Sequence, residues 1–530
     1  MSSIVSAAPR VNIAAIATAA LLFAALVLLL DGPVWLVNLV PTQDGPVHLA
    51  QADLIARFGW GGVLAEPAAS FYQWNPRIEP NFAIYAVIAG LIRLTGDALL
   101  ANAIFLMLYG LTWVVAAFAI AHTESKRPTL AVLLLLPLAF GRFIHLGFYN
   151  YALGVPLFLL FAVFRRRLAG RHDVGALLAT AVFLLALCMT HVTAAVVACL
   201  LLAAKGLATA FGVLQRSGPR VAARTLAIDG GWALAAALPT LLLVGSFMIA
   251  YRDIPGEVPG RLQLLPRLVG ASYLFSFTWW EIVALAPLLG AVAIAGVAAL
   301  RRFRSFDLLW PVFLLLVLAL SALNLGTGTA SLSERLAPFT WIAVVLMIAS
   351  VPLNAALVRA LGVAALIGLA GQTAIRAIAY KSWAPALDSV YAAGRSHPGA
   401  TFVNVDLTPL QNTGFSWRLR PTLHADQIAA LAAHGAALSS PLPSKRYFGY
   451  FPLQYVEAAD FMRAMPDWTL AQDAQSVSSF RTANHGAPQV LIVTASDAGG
   501  LTLASTIGFG DCKTRAIDAR WLAVCAPAGR

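Results

Sequence analysis

Pro41-Thr42-Gln43-Asp44-Gly45-Pro46-Val47-His48 follows directly on the first long apolar run of the chain and opens an amphipathic stretch that reaches Phe58. The run before it, about residues 11 to 30, is long enough to cross the roughly 30 Å hydrocarbon core of a bilayer as a helix, so the acid that follows stands at a membrane boundary. Asp31-Gly32-Pro33 interrupts that run near its end, and Val34 to Val40 extend it after a kink. With no small-residue cleavage site behind it, the segment reads as a retained signal anchor.

The rest of the composition agrees. Of 530 residues, 60% are hydrophobic and only 11% charged, with a mean hydropathy of +0.78, which describes a polytopic membrane protein and excludes a soluble one. The net charge of +12 is concentrated in short connections: Lys126-Arg127, Arg165-Arg166-Arg167 with Arg171, Arg216 to Arg224, and Arg301-Arg302 with Arg304. Clusters of that kind mark cytoplasmic loops. They carry no interleaved aromatic platform or basic helical stripe, and nucleic acid is not an expected partner.

With those clusters inside, crossings fall at about 11–30, 99–121, 129–144, 149–164, 174–190, 192–214, 226–250, 281–300, 308–324, 336–355 and 358–378, roughly eleven in all. The odd count places the C-terminal part outside. The apolar stretch from Asn81 to Leu94 reads as re-entrant or interfacial, because a crossing there would invert the basic loops after it. The first outer loop, about Asp31 to Asp97, then holds two helical candidates joined by a turn-rich piece, and Phe71, Tyr72 and Trp74 suit headgroup depth. The expected domains are a membrane part, 1–379, and a small extracytoplasmic α/β or α+β domain, 380–530. The latter carries a helix signal at Ala384 to Gly394 and strand signals at Ala400 to Leu407, Pro488 to Ala495, Ser505 to Phe509 and Trp521 to Cys525. Cys512 and Cys525 either close a short loop as a disulfide or remain two buried thiols. Cys188 and Cys199 lie in apolar sequence and suit packing.

No phosphate-cradling Gly-rich Lys loop, dinucleotide fingerprint, nucleophile elbow, His-Glu-x-x-His or Cys-x-x-Cys is present, which removes the usual signatures of ATP-driven, redox and zinc chemistry. What remains is a polar set on the outer face: Asp44, His48, Arg77, Glu79, Arg142, His145, Tyr149, Asn150, His191, Glu334 and Arg335. Asp44 fits a general base at a low-dielectric boundary, and equally an N-cap ahead of Gly45-Pro46. His48, one turn on, fits metal or acid-base duty or an interfacial polar position. Arg142 and His145, within Gly141 to Tyr151, suit phosphate or sugar binding, or anchoring at the interface. Arg335 suits bidentate capture of a lipid phosphate, with Glu334 beside it; both also suit a helix start paired for structural reasons. His191 reads as a polar turn, and Arg252 as a weaker phosphate candidate.

This layout resembles the integral-membrane glycosyltransferases of the C superfamily, which use polyprenyl-phosphate-linked sugars. The resemblance runs from Val11 to about Ala379 and rests on the first-loop acid Asp44, the helix ending Ala56-Arg57-Phe58-Gly59, and the apolar segment opening at Glu79-Pro80-Asn81, followed by an outer C-terminal domain. It implies that Asp44 is the catalytic acid of the first loop and Arg335 the arginine on the lipid phosphate. It also implies a polyprenyl-phosphate sugar donor, membrane lipid contacts, and a glycan, lipid or protein acceptor; the compact loops and lack of eukaryotic retention or sorting signals point to a bacterial cytoplasmic membrane. Metal-dependent members place a further acid where this chain has Arg142 and His145, so a divalent metal is a possible cofactor that these residues do not call for. A flippase of lipid-linked glycans and a non-catalytic envelope scaffold are the competing readings; the first predicts internal repeats, which are not evident.

Overall fold

The computed structural model describes residues 13–75, 77, 79–250, 271–302, 307–323, 332–406, 419, 421–437, 453–455, 489–495, 509–517 and 520–527. The expected loop site at Arg252 and the Gly/Thr/Ser-rich turn at 324–331 lie outside them.

Each of the eleven expected crossings coincides with a helix or, for the third, a broken one. They are α1 (Ile13–Asp31), α5 (Ala98–Glu124), α6 (Pro128–Leu135) continued by α7 (Arg142–His145), α8 (Tyr149–Arg167), α9 (Val174–Thr190) and α10 (Val192–Ser217). The series ends with α11 (Pro219–Ala250), α12 (Trp280–Leu300), α13 (Leu309–Ala322), α14 (Leu332–Ser350) and α15 (Ala355–Arg395). Seven segments are long and apolar enough to cross a membrane by length and composition alone, and four shorter apolar helices accompany them. The protein is a polytopic helical membrane protein. Among the described residues its basic connections meet at one end of the bundle. Arg127 donates to the Val351 and Leu353 carbonyls past the end of α14, Arg302 to that of Pro352, and Arg166 lies 3.6 Å from Glu124.

The first loop folds at the other end. α2 (Gly45–Phe58) and α4 (Ala83–Thr95) pack on each other, and α2 is buried along nearly its whole length. Arg93 of α4 closes the end of α2 by donating to the Ala56 and Ile55 carbonyls, at 2.9 and 3.2 Å. At 13 residues, about 20 Å, α4 is one of the shorter apolar helices. Its buried face, Ile84, Tyr85, Ile88, Ala89 and Ile92, packs inward.

Two expectations change. The helix signal at Ala384 to Gly394 is not a separate element: α15 runs unbroken for 41 residues, about 60 Å, through the expected boundary near 380. That is twice the hydrocarbon thickness, so the helix leaves the membrane zone and carries the C-terminal part on its far end. The aromatics Phe71 and Tyr72, expected at headgroup depth, are buried within the protein. After α3 (Ala68–Phe71), β1 (Tyr72–Trp74) pairs antiparallel with β4 (Leu453–Tyr455), and the Tyr72 hydroxyl donates to the Ala437 carbonyl while accepting from the Ala437 N–H at 2.9 Å.

The C-terminal part is a five-stranded mixed sheet, in spatial order β3 (Ala436–Ala437), β2 (Thr401–Asp406), β5 (Gln489–Ala495), β7 (Arg520–Pro527) and β6 (Phe509–Ile517). The first three run parallel and β7 and β6 pair antiparallel. Cys512 and Cys525 form a disulfide between β6 and β7. Helix α16 (Ala425–Ala433) packs on β2, on α15 and on α2 of the first loop.

Candidate functional site

Asp44 occupies the N-cap of α2, with Pro46 in the first turn, and its carbonyl accepts from the N–H groups of Val47 and His48 at 3.1 and 3.4 Å. Its carboxylate makes no capping hydrogen bond. The side chain is therefore released from the structural role its position suggested, and it is 24% exposed. The backbone beneath it is pinned. Gln43 and Asp44 donate to the carbonyls of His145 and Leu146 at 2.9 and 3.0 Å, and the Thr42 and Tyr149 hydroxyls lie 3.3 Å apart. Gly147 makes the approach possible: its φ is +84°, and a Cβ there would lie 2.2 Å from the Gly45 nitrogen.

One Asp44 carboxylate oxygen lies 3.3 Å from His424 Nε2, within ion-pair range though not aligned as a hydrogen bond. His424 is the N-cap residue of α16, so the C-terminal domain supplies it. Its imidazole is 3% exposed, and its Nδ1 has no hydrogen-bond partner among the described residues. Sequence reasoning missed this residue, because nothing in Pro421-Thr422-Leu423-His424 marks it as part of a site 380 positions upstream. His48 is partly buried, with Nδ1 2.7 Å from the Tyr85 hydroxyl. Burial pushes its pKa down to about 4 against the opposing pull of the Asp44 carboxylate, helped by His424 nearby, so it is neutral at physiological pH.

Arg335, in the first turn of α14, forms the second corner. The Tyr151 hydroxyl donates to its carbonyl at 2.6 Å, and its guanidinium lies 5.7 Å from the centre of the Phe148 ring. Its Nε is buried and has no hydrogen-bond partner among the described residues. His191, at the joint of α9 and α10, packs edge-on against Tyr151 at 5.1 Å and accepts from the Thr193 N–H through Nδ1 at 3.1 Å, the polar turn the sequence suggested. Asn150 and Asn81 lock the surrounding helix ends. Asn150 Nδ2 donates to the Asn81 carbonyl at 2.6 Å, and the Val192 N–H donates to Asn81 Oδ1 at 2.9 Å. The segment from His145 to Tyr151 thus holds Asp44 at one end and Arg335 at the other.

The remaining expected site residues separate. Arg142 is buried, and Glu334 is partly exposed beside Arg335. Arg77 and Glu79 pair at 3.9 Å. His145 is fully buried with both ring nitrogens engaged: Nδ1 by Ser276 Oγ at 2.8 Å and Nε2 by the Tyr380 hydroxyl at 2.8 Å. It belongs to an interior network rather than to an open binding surface. The Glu281 carboxylate accepts from the N–H groups of Ser276, Phe277 and Thr278, while Arg376 reaches the Leu30 carbonyl and stacks over Phe140 at 4.5 Å. Gln372, Arg376 and Tyr380 recur every four residues in an apolar helix, a polar stripe legible in the sequence but not singled out there. Beside this network a recess of about 390 Å³ opens between α12 and α15, lined by Phe277, Trp280, Ile375, Ile378 and Trp383. Among the described residues no group of three or more His, Cys, Asp or Glu is placed to hold a metal ion.

No family model and no curated protein matches the chain. Its fold is found in a solved structure, described as the crystal structure of ArnT from Cupriavidus metallidurans bound to undecaprenyl phosphate. The two correspond over 96% of this chain and 98% of that one, with a TM-score of 0.55 and 13% identity. The chain thus shares the fold of that protein.

Proposed function

We propose that the protein transfers a sugar from a polyprenyl-phosphate-linked donor to a glycan, lipid or protein acceptor at the outer face of a bacterial cytoplasmic membrane, where the C-terminal domain also lies. The observation that carries this reading is the convergence of Asp44 and Arg335 on the one segment from His145 to Tyr151. In the proposed step the Asp44 carboxylate takes the proton of an acceptor hydroxyl as its oxygen bonds to the anomeric carbon. The bond from that carbon to the phosphate oxygen breaks, and Arg335 stabilises the charge left on the polyprenyl phosphate. His424 partners the Asp44 carboxylate, and the apolar recess between α12 and α15 takes part of the isoprenoid chain. The fold shared with a protein crystallised with undecaprenyl phosphate supports the donor class.

The test is transfer of radiolabelled sugar from polyprenyl-phosphate donors to envelope extracts, by wild type, Asp44→Asn and Arg335→Ala, with and without EDTA. Folding is monitored in parallel. Loss of turnover of about a hundredfold or more in both folded variants is expected. Turnover equal to wild type in either would remove that residue from the mechanism, and loss on EDTA addition would require a metal.

A further inference from the structure

Helices α8 and α10 start beside Arg335, through Tyr151 and His191, and run with α5 to the opposite end of the bundle. The 19 residues of α8 put Arg165 and Arg166 about 25 Å from Tyr149, close to the thickness of a bilayer core. There a recess of about 350 Å³ opens between the ends of α5, α8 and α10 and the start of α13. Arg165, Arg166, Lys205 and Arg216 line it, against Glu124 and Asp307, so its polar wall carries a surplus of two positive charges, four less two. Its floor is apolar: Ala162, Leu201, Leu202, Leu309 and Trp310.

Arg165 is the unusual member. It is 6% exposed and has no carboxylate partner among the described residues. Nη1 donates to Thr180 Oγ1 at 2.9 Å, the guanidinium lies 4.4 Å over the Trp232 ring, and Nε is buried with no hydrogen-bond partner. A buried guanidinium in that state is costly unless an anion completes it. Glu124 does not serve: it is held by Arg166 at 3.6 Å and by Trp310 Nε1 at 3.3 Å. An apolar floor at membrane depth under a cationic rim has the shape of an anionic lipid, acyl chain below and phosphate above.

We propose that this recess binds the phosphate headgroup of an anionic membrane phospholipid, on the face of the protein remote from Asp44. The site is independent of the transfer reaction proposed above, and its test needs no turnover. Full-length protein purified in a neutral detergent is titrated with short-chain phosphatidylglycerol, short-chain phosphatidylcholine and inorganic phosphate. Binding is read by native mass spectrometry and by the midpoint of thermal unfolding.

Phosphatidylglycerol is expected to bind and raise the midpoint, with phosphatidylcholine and inorganic phosphate far weaker. Lys205→Gln and Arg216→Gln, at solvent-accessible positions, should each weaken phosphatidylglycerol about fivefold. Arg220→Gln, an exposed basic change outside the recess, should leave it unchanged. Equal response to phosphatidylcholine would overturn an anion site. Equal response to inorganic phosphate at the same concentration would replace the lipid by a free phosphate. Affinity unchanged in both recess variants would place the binding elsewhere.

Discussion

Gly147→Ala tests the placement of Asp44 without touching its chemistry. A Cβ at this position would lie 2.2 Å from the Gly45 nitrogen and 2.6 and 2.7 Å from the Asp44 carbonyl carbon and nitrogen. All three are backbone atoms, so no side-chain rotation relieves the clash. Restoring an ordinary contact of about 3.4 Å requires the segment carrying Asp44 to retreat by roughly 1 Å, and a displacement of that size at a reacting group costs on the order of a hundredfold in rate. The positive φ adds a conformational cost of about 1–2 kcal/mol. Gly59→Ala separates the two effects. Gly59 has φ +75° at the other end of the same helix, yet a Cβ there meets only the tip of Arg93 at 3.8 Å. Both variants should lose thermal stability from backbone strain, while transfer activity falls about a hundredfold only in Gly147→Ala. A Gly147→Ala protein that folds and transfers sugar at the wild-type rate would refute the claim that Asp44 is held in register by the 145–147 backbone.

Three further outcomes are expected. His424→Ala removes the group facing the Asp44 carboxylate, so kcat should fall about tenfold with KM nearly unchanged, as for loss of an interaction to a charged group worth roughly 1.5 kcal/mol. A rise in KM alone would make His424 a substrate contact instead. Tyr72→Phe strips both hydrogen bonds from buried Ala437 and should cost about 1–3 kcal/mol locally, read as faster hydrogen exchange in β2, β3 and α16 with exchange in α5 and α10 unchanged. His48, whose pKa falls to about 4 in the folded protein, is neutral there while the unfolded chain takes up a proton near 6.5, so the stability it contributes is present above about pH 6.5 and is lost as pH falls toward 4. The loss is at most about 3 kcal/mol, and a thermal midpoint that does not drop further in wild type than in His48→Gln between pH 7 and pH 4.5 would show that His48 is not buried neutral.

The helices were legible because a crossing helix declares itself locally, in an apolar run of membrane length bounded by charges. The strands at 401–406 and 489–495 were legible for the same reason, as short apolar runs between turns. The burial of Tyr72 was not: an aromatic beside a membrane reads as an interfacial anchor, and only pairing of β1 with a strand from the other end of the chain turns it inward. The same limit hid His424, since its role depends on α16 packing against α2. The ambiguity at Asp44 had a different source. Cap and catalytic acid require the same residue type at the same position, and only the geometry shows that the backbone does the capping while the carboxylate is left over. For His145 the chain neighbours were legible but the depth was not, and burial among Ser276, Tyr380 and Phe277 takes it out of the open face.

The first loop is read from both sides. Its backbone is bonded to the membrane bundle through His145 and Leu146, and its outer surface is docked to the C-terminal domain by four separate contacts: β1 on β4, Tyr72 on Ala437, α2 against α16, and Asp44 opposite His424. Asp44 lies where those two attachments meet. The membrane-side attachment ties the Asp44 backbone and Arg335 to the same 145–151 segment. The attachment on the domain side brings the imidazole from a body whose covalent tether is the projecting end of α15, whose Asp388 accepts a hydrogen bond from Asn38 Nδ2 at 3.1 Å. Disturbing that domain therefore changes the environment of the carboxylate without changing its position. The two classes of variant should separate in the assay, with Gly147→Ala displacing the Asp44 carboxylate and His424→Ala leaving it in place but unpartnered.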